Sequence, residues 1–264
     1  MSENIFFQIF ISLIAGVGAG LGTGFAGMSA AAAISPILIV FLGVDPFQAV
    51  AISLASDVIA SAVSAYTYGK NKNINFKSGW ILMVTVLVFT IVGTYVASLV
   101  PSKTMGSFSS IMTLLLGLKF VIKPVMNTKE KMDSLSKNKM IIFSILGGIL
   151  IGFICGFVGA GGGMMMLLIL TSVLGYELKT AVGTSVFIMT FTALIGAGSH
   201  IAISAEVPNL VLLITCVLST LLFARVAAKF ATKAQPKTLN RITGIVLIII
   251  SIAVITMSIV QKLI

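Results

Sequence analysis

The sequence has few of the residues on which soluble enzymes and secreted scaffolds depend. Its 264 residues include two cysteines, one histidine and seven acidic residues, and only 9% of the chain is charged. Cys155 and Cys216 lie in different apolar segments, so they indicate neither a disulfide framework nor a CxxC motif. Since His200 is the single imidazole, the ligands of a zinc or di-metal site are lacking, and we expect no metal and no cofactor.

The shortage of charge is matched by an excess of apolar residues. Hydrophobic residues make up 58% of the chain and the mean hydropathy is +1.16, whereas a soluble domain is about one quarter charged. Much of the surface must therefore face lipid, and the composition predicts an all-α integral membrane protein. The net charge of +10 then indicates orientation in the membrane rather than a nucleic-acid partner. No basic segment precedes Ile5, so the N-terminal run is interpreted as a first span and not as a signal peptide.

Ten apolar runs bounded by polar residues, Gly or Pro divide the chain. They cover residues 5–25, 29–43, 46–68, 77–100, 104–123, 139–160, 163–175, 178–203, 207–229 and 238–261. Eight runs are close to the ~20 residues that cross a bilayer as a helix. The runs 29–43 and 163–175 are short, and each follows a glycine-rich tract. We expect each of these two to be a broken helix or a re-entrant element.

The distribution of Lys and Arg favours ten crossings over eight. If all ten runs cross, every basic residue except Lys103 and Lys262 falls on one side, whereas eight crossings leave no bias. Basic residues are enriched on the cytoplasmic side of membrane proteins. The sequence therefore predicts a multi-pass protein of the cell membrane, with the loop 125–138 in the cytoplasm and both termini outside.

The two halves of the chain resemble each other. When residues 24–53 are laid over 156–185, a shift of 132, ten positions are identical without a gap, and Asp45 meets Glu177. This predicts two repeats of about five segments each, residues 1–124 and 139–264, joined by the loop 125–138. Five crossings per half would insert the second repeat upside down, which is the inverted-repeat plan of many secondary transporters.

The strongest candidate for a binding site is the pair of glycine-rich breaks, one in each half. Glycines where a helix restarts leave backbone N–H groups free, and helix N-termini attract anions. The alternative is that the glycines only let helices pack closely. The proposed substrate-binding residues of the breaks are Gly24, Gly27, Ser29, Ala30, Gly159, Gly161, Gly162 and Gly163.

Small and hydroxyl residues follow each short run. Ser53 lies in the first half, and Thr184 and Ser185 lie at the matching place in the second. Their hydroxyls can donate to a bound oxyanion, although Ser and Thr in membrane helices often bond to their own backbone. We include all three as candidate substrate-binding residues because the pattern occurs twice.

Asp57 falls near the middle of the run 46–68, where a carboxylate is costly unless it is protonated, paired or hydrated. It is therefore a candidate proton-coupling residue, the alternative being a neutral Asp that packs through hydrogen bonds. Met189 occupies the matching position of the second half. His200 is a second proton-coupling candidate, since a histidine titrates near neutral pH, and an interfacial histidine without a role is the alternative.

These motifs resemble the sulfite exporter TauE/SafE family. The stretches that carry the likeness are Gly156-Phe-Val-Gly-Ala-Gly-Gly-Gly163, Leu174-Gly-Tyr-Glu177 and Thr180-Ala-Val-Gly-Thr-Ser185, with weaker counterparts in the first half. The resemblance covers nearly the whole chain and implies transport of a small sulfur-containing anion such as sulfite, thiosulfate or an organosulfonate, coupled to an ion gradient. The first half departs from the family pattern at Ser29-Ala-Ala31 and Ala51-Ile52, which implies an altered specificity.

The sequence as a whole predicts a secondary transporter in which one repeat rocks against the other to give alternating access. An enzyme is not expected, because the sequence offers no nucleophile, base and orienting group in one set. Its expected partners are a small anionic substrate, a coupling ion that we take to be H⁺, and the lipid bilayer. Two alternatives stay open: a cation carrier or channel that uses Asp57, and a membrane subunit that transports nothing. The oligomeric state also stays open, including a homo-oligomer.

Overall fold

The regular structure of the described residues is entirely helical. A computed structural model describes residues 4–98, 106–126, 136–158, 162–204 and 208–263. The helices are α1 (Ile5–Ala26), α2 (Ala31–Leu42), α3 (Pro46–Lys70), α4 (Phe76–Ser98), α5 (Gly106–Ile122), α6 (Lys137–Val158), α7 (Gly162–Leu168), α8 (Leu178–Ser204), α9 (Leu210–Lys233) and α10 (Pro236–Leu263). A π-helical turn, Ile169–Val173, continues α7.

Each of the ten predicted apolar runs largely coincides with one of these helices, so the all-α membrane fold is confirmed. Six helices of the described ranges are long and apolar enough to cross a bilayer, with windows in α1, α3, α6, α8, α9 and α10. Shorter apolar helices cover Ala31–Leu42 and Gly162–Val173, the two short runs. Large apolar side chains such as Phe6, Tyr95 and Ile122 are exposed on the outside of the bundle, as expected of a lipid-facing surface. The chain is a multi-pass integral membrane protein.

A glycine stripe joins α1 to α9. A Cβ atom on Gly20 would lie 2.6 Å from the Thr220 carbonyl oxygen, and one on Gly24 would lie 2.5 Å from Ala227 Cβ. Only glycine permits this approach of two backbones. Since the contacts advance in the same direction along both helices, α1 and α9 run parallel.

The same kind of stripe joins α6 to α4. A Cβ atom on Gly148 would lie 2.7 Å from Thr85 Cβ, and one on Gly152 would lie 2.4 Å from the Val86 carbonyl oxygen. Gly148 and Gly152 stand 132 residues after Gly16 and Gly20 of the first stripe. These two helices also run parallel, and each of the two stripes joins a helix of one half to a helix of the other.

Two further pairs of helices pack in opposite directions. Along α3 and α8, Gly183 lies against Tyr68 whereas Gly196 lies against Leu54, so the later residue of α8 meets the earlier residue of α3. Along α5 and α10, Gly117 approaches Ile248 and Gly244 approaches Val121. Both pairs are antiparallel.

The two short helical segments end in the same way. Gly43 after α2 has φ 62° and Gly175 after the π-turn has φ 69°, both in the left-handed region that favours glycine. In each case the next backbone N–H returns to a carbonyl of the last turns, from Val44 to Leu38 at 3.3 Å and from Tyr176 to Leu170 at 2.8 Å.

An acid begins the helix that follows each short segment. The Ala49 N–H donates to the Asp45 carbonyl oxygen at 2.9 Å, and the Ala181 N–H donates to the Glu177 carbonyl oxygen at 2.9 Å. The Gln48 N–H also donates to Asp45 Oδ1 at 3.2 Å. The matched acids therefore have a structural role at the N-termini of α3 and α8, where a negative charge is stabilising.

Candidate functional site

The break between α1 and α2 is a fixed turn in the interior of the bundle. Helix α1 ends at Gly27, whose φ of 61° lies in the left-handed region. The Met28 N–H returns to the Gly22 carbonyl oxygen at 3.2 Å, and Thr23 Oγ1 donates to the Met28 carbonyl oxygen at 2.9 Å. Met28, Ser29 and Ala30 are at most 1% exposed. The first predicted interruption therefore exists, and protein surrounds it.

The Asp57 carboxyl group lies at the N-terminus of α2. Its Oδ2 accepts a hydrogen bond of 2.8 Å from Oγ of Ser29, the residue that comes two positions before the first residue of α2. Ser61 Oγ donates to the Asp57 backbone carbonyl oxygen. A carboxylate interacts favourably with the free amides and the positive dipole end of a helix N-terminus. The carboxyl group of Asp57 in α3 thus occupies the N-terminus of α2, where the sequence predicted the binding of an external anion.

The second oxygen of this carboxyl group lacks a partner. Asp57 is 0% exposed, and its Oδ1 has no hydrogen-bond partner among the residues that the structure describes. Asp57 is also the one fully buried charged side chain within the described ranges. An isolated buried carboxylate oxygen is costly, so Oδ1 is a place for a proton or another cation.

The break of the second half contacts the break of the first. Helix α7 begins at Gly162, and a Cβ atom on Gly163 would lie 2.4 Å from the Gly27 carbonyl oxygen and 2.9 Å from the Ser29 nitrogen. The same atom would lie 2.9 Å from Met189 Sδ. The two interrupted segments therefore meet in the core, and Gly163 allows their backbones to touch.

Ser185 links the two breaks. Its Oγ lies 3.2 Å from the Gly27 carbonyl oxygen and 3.5 Å from the Gly163 carbonyl oxygen, and it can donate to either. Ser185 is 0% exposed and belongs to α8. One hydroxyl thus lies within hydrogen-bonding distance of backbone oxygens from both halves of the chain.

Other predicted residues lie near this cluster but have other contacts. Gly24 packs against Ala227 of α9, and a Cβ atom on Gly162 would lie 2.7 Å from Cys155 Cβ. Ser53 Oγ lies 2.8 Å from Ser35 Oγ and donates to the Ala49 carbonyl oxygen at 2.5 Å. Gly24 and Gly162 thus make close helix contacts, and Ser53 bonds to its own helix. The part of these three residues in substrate binding stays a prediction.

Thr184 holds the loop that follows α3. Its Oγ1 accepts a 3.1 Å hydrogen bond from the Asn75 N–H. A Cβ atom on the preceding residue, Gly183, would lie 2.0 Å from the Asn73 carbonyl oxygen. Within the segment 181–185, Gly183 therefore lets this loop approach α8 closely, and Thr184 forms a hydrogen bond with it. Ser185 contacts the two breaks.

Three predicted site positions fall outside what the structure describes. Gly159 and Gly161 lie in the gap between α6 and α7, and the side chain of His200 in α8 is also outside the described set. In the described ranges, no group of three or more His, Cys, Asp or Glu side chains is placed to hold a metal ion.

Sequence reasoning missed the partner of Asp57. Ser29 was selected as a backbone anion binder and Asp57 as a separate proton carrier, yet their side chains are bonded across 28 residues. No local pattern reveals such a contact, because it depends on how α3 packs against the break. Met189 beside Gly163 was noted only as the position that lacks an acid.

The comparisons with known proteins agree with this arrangement of a multi-pass helical bundle. The family model of the sulfite exporter TauE/SafE matches residues 12–254. The chain belongs to the sulfite exporter TauE/SafE family. The resemblance inferred from the motifs is thereby confirmed, and the family is one of membrane transporters.

Curated relatives carry names of the same kind. The chain is 28% identical to the probable membrane transporter protein YunE of Bacillus subtilis over 258 residues, 92% of this chain and 94% of the relative. It is 24% identical to YdhB of the same organism, also a probable membrane transporter protein, over 83% of this chain and 88% of the relative. A probable membrane transporter protein of Methanocaldococcus jannaschii is 28% identical over 60% of this chain and 57% of the relative.

Proposed function

We propose that the protein is a secondary transporter that carries a small sulfur-containing anion, sulfite, thiosulfate or an organosulfonate, across the cell membrane, and that it is not an enzyme. Membership of the TauE/SafE family supports the class of cargo. The observation that carries the proposal is the meeting of two interrupted helical segments, one from each half, at Ser185. Interrupted helices at the centre of a membrane protein are the usual place for substrate and coupling ion in secondary transporters.

The proposed substrate site comprises the amides of Gly27–Ala30 and Gly161–Gly163, with the hydroxyls of Ser53, Thr184 and Ser185. Ser29, Ala30 and Ser185 are buried here, so an anion can enter only after a conformational change. Thr184 and Ser53 are engaged by Asn75 and Ser35, and they reach the substrate only if those bonds open. The buried arrangement is the closed state expected of a carrier that exposes its site to one side at a time.

We propose further that the chain consists of two inverted repeats, residues 1–124 and 139–264, joined by the segment 125–138. The recurrence of glycine stripes, left-handed glycines and helix-initiating acids at a shift of 132 supports this division. The antiparallel packing of α3 with its counterpart α8, and of α5 with its counterpart α10, supports the inversion. A two-fold axis that lies in the membrane plane reverses any helix that it pairs with its own counterpart.

The helix directions also support a return pass by α2 and by α7. Lys179, near the start of α8, donates to the Thr232 carbonyl oxygen near the end of α9, as expected of antiparallel helices. Since α1 is parallel to α9 and α3 is antiparallel to α8, α1 and α3 then run in the same direction. The chain must turn back between them. With the basic loops in the cytoplasm, this arrangement leaves both termini outside and the loop 125–138 inside.

We propose that a proton is the coupling ion and that Asp57 carries it, with His200 as a second candidate. The unpartnered Oδ1 supports this role for Asp57. The test uses purified protein in liposomes with thiosulfate or sulfite outside and an inwardly directed proton gradient. We expect accumulation of the anion in wild type, and anion flux that no longer responds to the gradient in Asp57→Asn. The matched control is Asp45→Asn, which changes an acid at a helix start. A wild-type flux that ignores the gradient would remove the coupling proposal.

A cation carrier is the second candidate, because the same free Oδ1 in a buried site suits a metal cation as well as a proton. In that case the liposomes would take up Na⁺ or a divalent cation without any anion present. Uptake of thiosulfate in the absence of added metal ions would decide for the anion transporter.

A further inference from the structure

The N-terminus of α2 is already occupied by a negative group of the protein itself. The carboxyl group of Asp57 accepts a 2.8 Å hydrogen bond from Ser29 Oγ, a side-chain donor at the start of α2. Ala31 N–H lies 3.3 Å from the same Ser29 hydroxyl. A sulfite or sulfonate group presents oxygens of the same kind as a carboxylate, and it needs the same donors.

One carboxyl group therefore combines two features. Its Oδ2 accepts a hydrogen bond from the Ser29 hydroxyl at the N-terminus of α2, and its unpartnered Oδ1 offers a buried place for a proton. A proton on Oδ1 neutralises the group, and a neutral carboxyl group is a much weaker ligand for a positive helix end than a carboxylate is. Asp57 therefore occupies the N-terminus of α2 and can lose its negative charge by binding a proton.

We propose that Asp57 acts as an internal anion that competes with the transported anion for the N-terminus of α2, so that the substrate binds there when Asp57 is protonated. Proton and anion then bind cooperatively and cross the membrane in the same direction, as symport. The inference rests on the proposed anion transport and adds how the two binding events are linked. By reciprocity, a proton raises the affinity for the anion by the factor by which the anion raises the affinity for the proton.

The surroundings of Asp57 contain few groups that would interfere. Helices α1, α2, α8 and α9 pack against α3, and α1 and α2 carry no titratable side chain. The thiol of Cys155 in α6 lies close enough to interact with the charge of Asp57. The other titratable or charged groups of these elements are Tyr66, Tyr68 and Lys70 of α3, Lys179 and His200 of α8, and Cys216, Arg225, Lys229 and Lys233 of α9.

Those whose contacts the structure describes interact away from the carboxyl group of Asp57. Lys179 Nζ donates to the Thr232 carbonyl oxygen at 2.9 Å, and Tyr68 OH donates to the Gly24 carbonyl oxygen at 2.9 Å. Arg225 and Lys229 are exposed. None of these contacts supplies a cation to Asp57, so a proton is the counter-charge that the proposal requires.

The second half offers a contrast that fits this assignment. The position that matches Asp57 is Met189, and its sulfur lies beside Gly163 at the start of α7. A thioether is neutral at every pH, so it cannot compete electrostatically with an anion. Of these two matched positions, only the one in the first half can bind a proton.

The test measures anion affinity against pH with thiosulfate and methanesulfonate, which keep a constant charge over the range used. For wild type in detergent we expect the affinity to fall by about tenfold per pH unit above the titration of the carboxyl group, as one linked proton requires. Asp57→Asn should bind both anions independently of pH, with the affinity that wild type reaches at acidic pH. Asp45→Asn should keep the wild-type pH dependence.

A second measurement needs no variant. Thiosulfate added to wild-type protein in weakly buffered solution should cause uptake of about one proton for each anion bound. Binding that is independent of pH, or that releases protons, would overturn the competition while leaving anion transport in place. If no sulfur-containing anion binds or crosses at any pH, the proposed function itself is wrong, and the two failures are thereby distinguished.

Discussion

A carboxyl group that is completely buried between helices needs partners or a proton, and Asp57 has partners for one oxygen only. Its position in an apolar run made Asp57 recognisable in the sequence as a candidate residue, but the sequence did not reveal what it contacts. The cost of burial can be read from an acid in an apolar run, whereas the identity of its partner depends on the contact between α3 and the break at Ser29. Buried polar groups are seldom left half satisfied without a functional reason.

Gly163 provides the sharpest single-residue test of the contact between the two breaks. In Gly163→Ala the new methyl group would lie 2.4 Å from the Gly27 backbone oxygen, and a backbone atom cannot rotate away. We expect the thermal midpoint in detergent to fall by several degrees, on the order of 1–3 kcal/mol of overpacking, and anion flux in liposomes to be lost. Gly198→Ala, whose added atom meets nothing within 4 Å, is the control. Equal behaviour of the two variants would mean that the breaks do not touch.

At the scale of helices, much of the architecture could be predicted from the sequence because it depends on local composition. Each apolar run corresponds to a helix of the described ranges, and the short helices α2 and α7 begin after or within the glycine tracts. The pairing of helices could not be predicted, because a glycine such as Gly24 serves equally for a binding loop and for a close helix contact. The structure places Gly24 against Ala227 and leaves Gly27 and Gly163 at the break.

The glycine stripes should be intolerant of any side chain. Gly20→Ala and Gly152→Ala would each place a methyl group within 2.6 Å of a backbone oxygen on the facing helix. We expect each to destabilise the protein by about 1–3 kcal/mol, measured as a fall in the thermal midpoint. Gly18→Ala, on the same helix as Gly20 but in open space, should be neutral or slightly stabilising. If Gly18→Ala and Gly20→Ala unfold at the same temperature, α1 and α9 are not packed as described.

The stripes also restrict how the transporter can move. Helix α1 packs tightly against α9, and α6 packs tightly against α4, so each of these two interfaces joins one half of the chain to the other. If one whole repeat rocked against the other, both interfaces would have to separate. We expect spin labels at Phe10 and Leu218, or at Val84 and Leu146, to keep their distance when thiosulfate is added at acidic pH. Labels at Phe10 and Val84, in different pairs, should change theirs. All four sites are exposed, and buried Cys155 and Cys216 would first be replaced by alanine. A changed distance within either pair would restore the repeat-against-repeat motion.

For the molecule as a whole, several basic residues lie together near the ends of helices. Lys70 ends α3 and Lys72 follows it, and Lys233, Lys237 and Arg241 lie where α9 ends and α10 begins. With α1 and α3 running in the same direction, these groups lie on one side of the bundle. Charge and helix direction are independent observations, and both favour a chain that turns back through α2.

Single-cysteine labelling in cells tests this arrangement on three exposed positions, Asn4, Asp45 and Asn71. If α2 returns the chain, cysteines at 4 and 45 react with an impermeant maleimide added outside, and a cysteine at 71 reacts only after the membrane is permeabilised. If α1 crosses and α2 does not return, positions 4 and 45 must lie on opposite sides, whatever the absolute orientation. Asn4 caps α1 through the Phe6 N–H at 3.0 Å, so its replacement costs about 1 kcal/mol and should leave the fold intact. Opposite reactivity of positions 4 and 45 would contradict the parallel course of α1 and α3 and, with it, the inverted relation of the two halves.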